Sequence, residues 1–572
     1  MIEDILLQVN KPGRYIGKEW NLPKKDFEAA SIKFALSFPD LYEVGMSNLG
    51  VRIIYGILNN IPDVACERVF SCNDDLEAII RQKDLEIFSL ESRRMLKEFD
   101  IIGFSLGSEL CYTNILSILD LGNIPLIAQE RDNSFPLVIG GGPCVLNPEP
   151  IHEFFDLFVI GEAEDLIVEL IDAYRQSQEE YKSSRISKQD LLLRLSKIEG
   201  VYVPSFYEGC KPKIQGAALS IKKRFVKDLN VSYFPENWLV PYIQIIHDRI
   251  TLEIMRGCPN RCRFCQARSC YFPLRFRQQE NILRLAGCIY KETGYEEISL
   301  TGLSVSDYPN MEELSSQMFE LFKRKGISVS LPSIKAKLAV GGISSLIATV
   351  KKTGLTFAPE AGTKRLRDIL GKDFNEDDFF KVLEEAYLAG YRHVKLYFMI
   401  GLPQETKEDL DGIADLCLRV SELGRKIKRA PARVNISINT LIPKPHTAFQ
   451  WFGMEGLDSI KEKQDYLKSK MKNRNFNLSF HDQKMSLLEG VLSRGDRRLS
   501  RVIALAYKKG ARFDAWGNHF SWEKWLDAFN EAGIDPDSYL RQRPRDEVLP
   551  WDTLEPGISK EALVKEFNEI MG

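Results

Sequence analysis

Three cysteines in one short loop constrain this chain more than any other feature of its sequence. Cys258, Cys262 and Cys265 follow the strand-like run 250–255 in a C-x3-C-x2-C spacing. Three thiolates on one loop can hold a single metal cluster. A cubane iron–sulfur cluster has four irons, so three cysteines leave one iron without a protein ligand, as catalytic metal sites do. The loop therefore predicts a [4Fe-4S] cluster with one iron available for chemistry.

A zinc knuckle or a set of buried thiols is the alternative interpretation of this loop. Structural zinc takes four ligands, and the missing one usually comes from a second C-x2-C or H-x3-H pair. The nearest additional thiol, Cys270, lacks that partner spacing. The spacing favours a cluster.

The composition is that of an ordinary soluble protein with several domains. The chain has 572 residues, of which 44% are hydrophobic and 27% charged, and its formal net charge is −3. This length allows roughly two to four domains, and the charge gives no overall attraction to nucleic acid or membranes.

The cysteine content and the first residues of the chain indicate the cellular compartment. Eleven cysteines, an odd number, do not form a disulfide framework and suit a reducing compartment. The chain begins with an early acid pair instead of a basic and apolar leader, and no apolar run has membrane-spanning length. We expect a cytoplasmic protein without a membrane partner.

The first part of the chain alternates between strand-like and helix-like stretches. Strand patterns cover 32–38, 65–70, 100–106, 137–140 and 157–160, with a helix near 51–59. This alternation predicts an open, mostly parallel sheet with helices on both faces. We expect a doubly wound, Rossmann-like α/β domain over residues 1–172 and a connector with short strands over residues 173–240.

Residues 241–453 alternate again, and residues 454–572 form a helical C-terminal region. After the strand that precedes the cysteine loop, strand patterns cover 297–301, 328–331, 355–358, 393–400 and 433–441. Functional groups are expected at the carboxyl ends of such strands. Lysines and arginines outnumber acids from 425 to 512, which indicates either contact with RNA or a solvated helix face.

The cysteine motif resembles the signature of the radical S-adenosylmethionine (radical SAM) enzymes, C-x3-C-x-aromatic-C, with Phe264 as the aromatic residue. The six repeats of residues 241–453 are similar to that superfamily's partial (β/α)6 barrel. The resemblance implies that SAM binds the open iron and is split by an electron from the reduced cluster, supplied by a donor such as flavodoxin or ferredoxin. The resulting 5'-deoxyadenosyl radical removes a hydrogen atom from the substrate. The cofactor carries the difficult step, and the protein supplies placement and shielding.

Two strand ends resemble the segments that hold the methionine and ribose parts of SAM. Ser304 and Asp307 stand where the family has a G-G-E-like segment, although the second glycine and the glutamate are absent here. The alternative is an ordinary serine-rich loop. Glu360 and Arg365 stand where the family places an acid and a base near the SAM ribose and carboxylate. A carboxylate can accept from the ribose hydroxyls, and a guanidinium can pair with the SAM carboxylate. Arg365 also suits the exposed first turn of a helix.

A third strand end carries Gly401 and Glu405 in the run M-I-G-L-P-Q-E-T, which resembles the G-L-P-G-E-T segment on the adenine side of the SAM pocket. Glycine lets the backbone approach a ligand closely, and Glu405 also fits a helix-start acid. With Phe264, these residues complete the set for which the resemblance implies cofactor binding, and no side chain is assigned a catalytic role. His446, after the strand 433–441, is interpreted as a loop histidine with structural hydrogen bonds, with proton handling as the alternative.

The first domain is similar to the cobalamin-binding-like domain that precedes many radical SAM cores. Gly141-Gly-Pro-Cys144 and Gly161-Glu162 match that domain's G-G-P-H and G-E features, with cysteine in place of histidine. Asp40 to Gly45 fits the D-x-H-x-x-G frame except that Tyr42 replaces the cobalt-ligating histidine. Cobalamin binding and a degenerate Rossmann-like domain both remain open.

Over nearly its full length the chain resembles a poorly characterised bacterial radical SAM family whose helical tail contains L-x-G-V-x-S-R-G-D-R-R. The leading hypothesis is a radical SAM enzyme of unknown substrate, with cobalamin-assisted methyl transfer as one form of the reaction. One alternative is a methylthiotransferase-like modifier of RNA or protein, which needs a second cluster from Cys66, Cys72, Cys111 and Cys144. Another is a non-catalytic iron–sulfur redox module.

Overall fold

The computed structural model describes residues 2–330 and 355–571. The strands used in the description below are β1 (Ile32–Phe38), β2 (Val64–Phe70), β3 (Ile101–Ser105), β4 (Leu137–Gly141), β5 (Leu157–Val159), β6 (Val201–Tyr202), β7 (Ile250–Glu253), β8 (Met255–Arg256), β9 (Arg275–Phe276), β10 (Glu297–Thr301), β11 (Ser328–Ser330), β12 (Leu355–Glu360), β13 (His393–Ile400), β14 (Arg433–Thr440) and β15 (Phe476–Phe480). Short two-residue strands at Tyr207–Glu208, Lys211–Pro212, Ile221–Lys222 and Leu554–Glu555 complete the set.

The helices are α1 (Ile2–Leu6), α2 (Tyr42–Gly45), α3 (Leu49–Asn60), α4 (Asp74–Gln82), α5 (Tyr112–Leu121), α6 (Glu164–Lys182), α7 (Lys188–Leu195), α8 (Ala267–Cys270), α9 (Gln279–Thr293), α10 (Met311–Phe322), α11 (Lys364–Leu370), α12 (Glu376–Leu388), α13 (Lys407–Lys428), α14 (Leu457–Lys470), α15 (Gln483–Arg494), α16 (Leu499–Lys508), α17 (Trp522–Ala532), α18 (Asp537–Leu540) and α19 (Lys560–Met571).

The first domain is a doubly wound sheet, which confirms the predicted fold class. Its strand order is β2-β1-β3-β4-β5-β6, with β1 to β5 parallel and β6 antiparallel. Every residue of β2 is buried, as expected for a parallel strand covered on both faces. In this strand order the chain reverses direction across the sheet between β1 and β3, and ligands bind outside the carboxyl ends at such a point.

The connector is more closely joined to the first domain than its polar sequence suggests. Helix α6 runs through the limit predicted after residue 172, and its Tyr174, Ser177 and Tyr181 are buried. Strand β6, from the predicted connector 173–240, pairs with β5 as the edge of the first sheet. The domain limits themselves stay predictions.

The second domain contains all six predicted strands, in two parallel sheets. One sheet has the order β7-β10-β11 and the other β12-β13-β14-β15. Strand β15 lies beyond the predicted core limit at residue 453, so this sheet continues into the C-terminal region. The sequence pattern also predicts a helix near 344–352. That stretch and the end of the strand predicted at 328–331 lie outside the described residues.

The C-terminal region is mainly helical and packs on both other domains. Helix α19 buries Leu563, Phe567 and Ile570 against Trp451 and neighbouring apolar residues of the second domain. Helices α15 to α17 instead join the apolar core of the first domain. No helix in the described ranges is long and apolar enough to cross a bilayer.

Two arginines of the basic segment in this region contact other parts of the protein. Arg494 is fully buried, and its guanidinium donates to the carbonyls of Tyr539, Pro443, Gln450 and Arg541 at 2.8 to 3.3 Å. Arg497 lies beside the Glu149 carboxylate and donates to the Tyr207 carbonyl at 2.7 Å. These two arginines contact protein groups because the end of α15 and the loop after it pack at the junction between the domains. Contact with RNA stays a prediction.

Candidate metal and cofactor site

The cysteine loop lies between β8 and α8, at the carboxyl end of the first strand of the second domain. Cys258, Cys262 and Cys265 are each half-buried. Asn260 Nδ2 donates to Cys258 Sγ at 3.1 Å, which orients the first thiol. Burial raises the pKa of Cys262 to about 11 and also raises the pKa of Cys265, so both thiols must lose a proton when metal binds.

The arrangement of these thiols fits a cluster better than a single ion. After burial, the neighbouring Cys265 and Cys258 each add to the raised pKa of Cys262, so the three thiols interact electrostatically. Within residues 2–330 and 355–571, no three Cys, His, Asp or Glu side chains converge closely enough to hold one metal ion. Zinc ligands converge on one point, whereas the irons of a cubane lie at separate corners. The donor set therefore fits a [4Fe-4S] cluster with three protein ligands.

Ser304 and Asp307 lie beside this loop, as predicted for SAM-binding residues. Ser304 Oγ donates to Asp307 Oδ2 at 2.6 Å. Asn260 Nδ2 lies 3.2 Å from Asp307 Oδ2 and 3.4 Å from Ser304 Oγ. One amide thus joins the loop after β10 to the cysteine loop, an arrangement that the sequence spacing did not reveal.

Glu360 also lies near the cysteines, since its charge adds to the raised pKa of Cys262 and of Cys265, and its basic partner is Lys372. Lys372 Nζ lies 3.0 Å from Glu360 Oε1, and both side chains are mostly buried. Burial raises the pKa of Glu360 despite this pairing. Burial works against the Lys372 charge, but Glu360 and Cys262 together raise the pKa of Lys372. The pair is therefore a charged group directly beside the cluster ligands.

Sequence reasoning missed Lys372 because the residue follows Glu360 only after the whole of α11. Gly371 ends that helix with φ +65° and turns the chain back, which brings the next residue to Glu360. A lysine directly after a helix-ending glycine was the available signal.

Arg365 lies about half-exposed on the outer side of the same helix. Its guanidinium pairs with the Asp409 carboxylate and donates to the Gln404 carbonyl at 3.0 Å. The structure therefore does not bring Arg365 to Glu360. The predicted role of Arg365 in SAM binding stays a prediction.

Gly401 and Glu405 form one turn after β13. Gly401 has φ +78°, a conformation that favours glycine, and its N–H donates to Glu405 Oε2 at 2.9 Å. Glu405 also accepts from Lys463 Nζ at 2.6 Å, and burial raises the pKa of Glu405. Glu405 thus shapes the turn, while Gly401 presents backbone at the carboxyl end of the strand.

Phe264 and His446 lie on the apolar side of the cysteine loop. The Phe264 ring centroid lies 6.4 Å from that of Phe449, within the core beneath α19. The buried His446 donates from Nε2 to the Leu146 carbonyl at 3.0 Å, and burial lowers the pKa of His446 to about 4. The neutral ring has the structural hydrogen bond that its sequence context indicated.

Helix α19 holds the cysteine loop from outside. Arg263 Nη2 lies 2.6 Å from Glu569 Oε2, and Arg268 Nη2 lies 2.8 Å from Glu566 Oε1. These arginines flank Cys265. The far end of the chain therefore contributes to the environment of the candidate cluster.

Comparisons with known proteins agree with this geometry. Residues 50–204 match the family described as radical SAM proteins, N-terminal, and residues 252–417 match the radical SAM superfamily. An uncharacterized protein of Methanocaldococcus jannaschii is 29% identical over 505 residues, which are 87% of this chain and 97% of that protein. An uncharacterized protein of Methanopyrus kandleri is 22% identical over 429 residues, 65% of this chain and 70% of that protein.

Two solved structures show a weaker likeness. The radical S-adenosylmethionine methyltransferase TsrM from Kitasatospora setae has a TM-score of 0.45 at 12% identity, over 72% of this chain and 73% of that chain. The cobalamin-dependent S-adenosylmethionine radical enzyme OxsB has a TM-score of 0.47 at 14% identity, over 94% of this chain and 79% of that chain. The two matched family regions together span more than half of the sequence and include the cysteine loop. The chain belongs to the radical SAM superfamily.

Proposed function

We propose that this radical SAM enzyme binds a [4Fe-4S] cluster through Cys258, Cys262 and Cys265 and cleaves SAM to act on a substrate by hydrogen abstraction. When bound and reduced, the cluster supplies the electron that splits SAM into methionine and a 5'-deoxyadenosyl radical. The observation that supports this function best is the position of the Asn260–Asp307 contact and the Glu360–Lys372 pair beside the loop that carries the three cysteines.

The polar groups around the thiols suit the parts of SAM. Asp307, next to Ser304, offers a carboxylate for the SAM amino group. Lys372 offers the cation that a SAM carboxylate requires, and Glu360 offers an acceptor for ribose hydroxyls. The enclosed position of Glu360 and Lys372 strengthens such contacts because water does not screen them.

The direct test is anaerobic reconstitution with iron and sulfide, followed by reduction in the presence of SAM. We expect about four irons per chain and formation of 5'-deoxyadenosine. A reconstituted cluster that neither binds nor cleaves SAM would favour the non-catalytic redox module. About eight irons per chain would favour the methylthiotransferase-like alternative. The four cysteines considered for that second cluster are buried.

Lys372→Met is expected to raise the KM for SAM by roughly tenfold or more, since a hydrogen bond to a charged group is worth about 1.5 to 3 kcal/mol. Arg365→Met is the matched control, because Arg365 lies on α11, which directly precedes Lys372, but is about half-exposed and pairs with Asp409. Its effect on the KM should stay below about threefold, as for an exposed ion pair. Initial rates of 5'-deoxyadenosine formation at varied SAM measure both. A larger effect on the KM from Arg365→Met than from Lys372→Met would indicate that Arg365, and not Lys372, is the base that binds SAM.

Methyl transfer assisted by cobalamin is a second candidate, favoured by one groove in the first domain. This groove of about 470 Å³ lies at the carboxyl ends of β1, β3 and β4, and glycines including Gly107 and Gly141 line it. The volume of this groove suits a bound group the size of a nucleotide. The Tyr42 hydroxyl donates to Glu19 Oε1 at 2.9 Å and is buried, so no cobalt ligand comes from this position. The residues fit cobalamin held by its nucleotide part and without a protein ligand below the cobalt.

Gly141→Leu is expected to weaken cobalamin binding by roughly tenfold or more, because the leucine side chain would fill the groove. Gly141→Ala is the matched control, since a Cβ there would lie 3.8 Å from the nearest atoms of Val159. Titration with hydroxocobalamin, followed by the corrin absorption, measures the affinity. Equal affinity in both variants would exclude this groove as the corrin nucleotide site.

A further inference from the structure

Two buried arginines bracket the cysteine loop and meet at one carboxylate of the first domain. Arg256 precedes the loop in β8, and Arg275 lies opposite in β9, its antiparallel partner. Arg256 Nη1 lies 2.9 Å from Glu162 Oε2, while Arg275 Nη1 and Nη2 lie 2.7 and 2.6 Å from Glu162 Oε2 and Oε1. Each of the three side chains is less than a tenth exposed. Glu162 also accepts from the Val226 N–H at 2.7 Å.

The charge of Arg275 depends on Glu162 for compensation more than the charge of Arg256 does. Arg256 also pairs with Glu253 and Glu164, at 2.9 and 2.7 Å. Across the described residues, Glu162 is the one carboxylate in an ion pair with Arg275. Two guanidiniums side by side repel each other strongly where water is excluded. Without the Glu162 charge, Arg275 would keep mainly carbonyl acceptors and would move away from Arg256.

Such a movement reaches the first cluster ligand directly, because only Gly257 separates Arg256 from Cys258. Gly257 has φ +88°, and a Cβ there would lie 2.7 Å from the Pro273 carbonyl oxygen and 2.8 Å from Leu274 Cα. The backbone is therefore packed tightly against the chain that leads into β9. The start of the cysteine loop follows any shift of this hairpin.

A further buried side chain contacts the chain just after the cysteine loop. Lys223, which is buried, donates from Nζ to the carbonyls of Ser269, Cys270 and Phe272 at 2.8, 2.9 and 2.7 Å. Glu162 and Lys223 thus hold opposite ends of the segment that carries the three cysteines. Neither side chain belongs to the cysteine loop itself.

We propose that Glu162 is a positioning residue, which sets the spacing of Arg256 and Arg275 and thereby the orientation of Cys258 toward the cluster. This inference rests on the proposed function, since it requires that the three cysteines hold a cluster. Glu162 touches no reacting atom. The first domain then contributes to the metal centre of the second through one buried carboxylate.

The test compares Glu162→Gln and Glu162→Asp with Asp156→Asn in the full-length protein. Asp156 is a matched control in the same domain, because it is also buried, pairs with two cations, Arg131 and Lys188, and accepts from one backbone N–H, that of Val138. It makes none of the loop contacts. The measurements are iron and sulfide per chain, the electron paramagnetic resonance spectrum of the reduced cluster, the rate of iron release to a ferrous chelator, and thermal unfolding of the metal-free protein.

We expect Glu162→Gln and Asp156→Asn to lower the unfolding temperature of the metal-free protein to a similar extent. Only Glu162→Gln should release iron faster than the wild type, by roughly tenfold or more. It alone should also change the resonance spectrum, because groups outside the metal ligands orient those ligands. Glu162→Asp, which keeps the charge, should restore part of the wild-type rate. Release at the wild-type rate in Glu162→Gln, or equally fast release in Asp156→Asn, would overturn the positioning role alone. A wild-type protein that takes up no cluster would overturn the proposed function together with this inference.

Discussion

Cys258→Ala is expected to abolish the [4Fe-4S] cluster and to reduce 5'-deoxyadenosine formation by at least roughly a thousandfold, because the cluster carries the chemical step. Cys258 is the first of the three ligands, and its sulfur accepts the Asn260 hydrogen bond that also reaches Asp307. A cubane held by two thiolates exposes a second iron and is released readily. The iron content and the visible absorption of the reconstituted variant measure the cluster, and chromatography measures the 5'-deoxyadenosine.

Cys288→Ala is the matched control for this substitution. Cys288 lies in α9, is half-buried like Cys258 and is not part of the cysteine motif. This variant should keep its iron and its rate of SAM cleavage. Loss of the cluster in both variants would indicate a general folding defect. Retention of a catalytically active cluster in Cys258→Ala would contradict the assignment of the three ligands.

Arg494→Ala is expected to lower the free energy of unfolding by about 3 kcal/mol or more, since several buried carbonyls would lose their donor. The Arg494 guanidinium joins the loop after β14, through Pro443 and Gln450, to the chain around α18, through Tyr539 and Arg541. The Arg494 side chain is fully buried, so these carbonyls lie away from bulk solvent. Denaturant unfolding of the metal-free protein, followed by circular dichroism, measures the loss.

Arg498→Ala is the matched control, because Arg498 belongs to the same basic segment but is 65% exposed and pairs with its neighbour Asp496. Its effect on stability should stay below about 1 kcal/mol. If the segment served only as a basic surface for RNA, the two substitutions would affect stability equally little. That outcome would contradict the structural role of Arg494.

The candidate site shows which functional residues a sequence pattern can predict and which it cannot. Asp307 and Glu360 were found because each follows a strand, and the carboxyl ends of parallel strands meet at one edge. Lys372 and Asn260 were not found. Their positions depend on the turn after α11 and on the path of the cysteine loop, which depend on contacts between distant parts of the chain. Arg365 was named because it matches the family's segment after Glu360, but its guanidinium pairs with Asp409.

The sequence alone determined the alternation of strands and helices in both α/β domains, because burial on two faces leaves a strong apolar pattern in each strand. It also indicated the superfamily, because three cysteines at a fixed spacing in one loop form a local motif. The tertiary structure decided which charged groups meet. Glu162 reaches Arg256 and Arg275 across a domain junction, and helix α19 reaches Arg263 and Arg268 from the far end of the chain. Such contacts leave no periodic trace in the sequence, since they depend on how separately folded elements pack together.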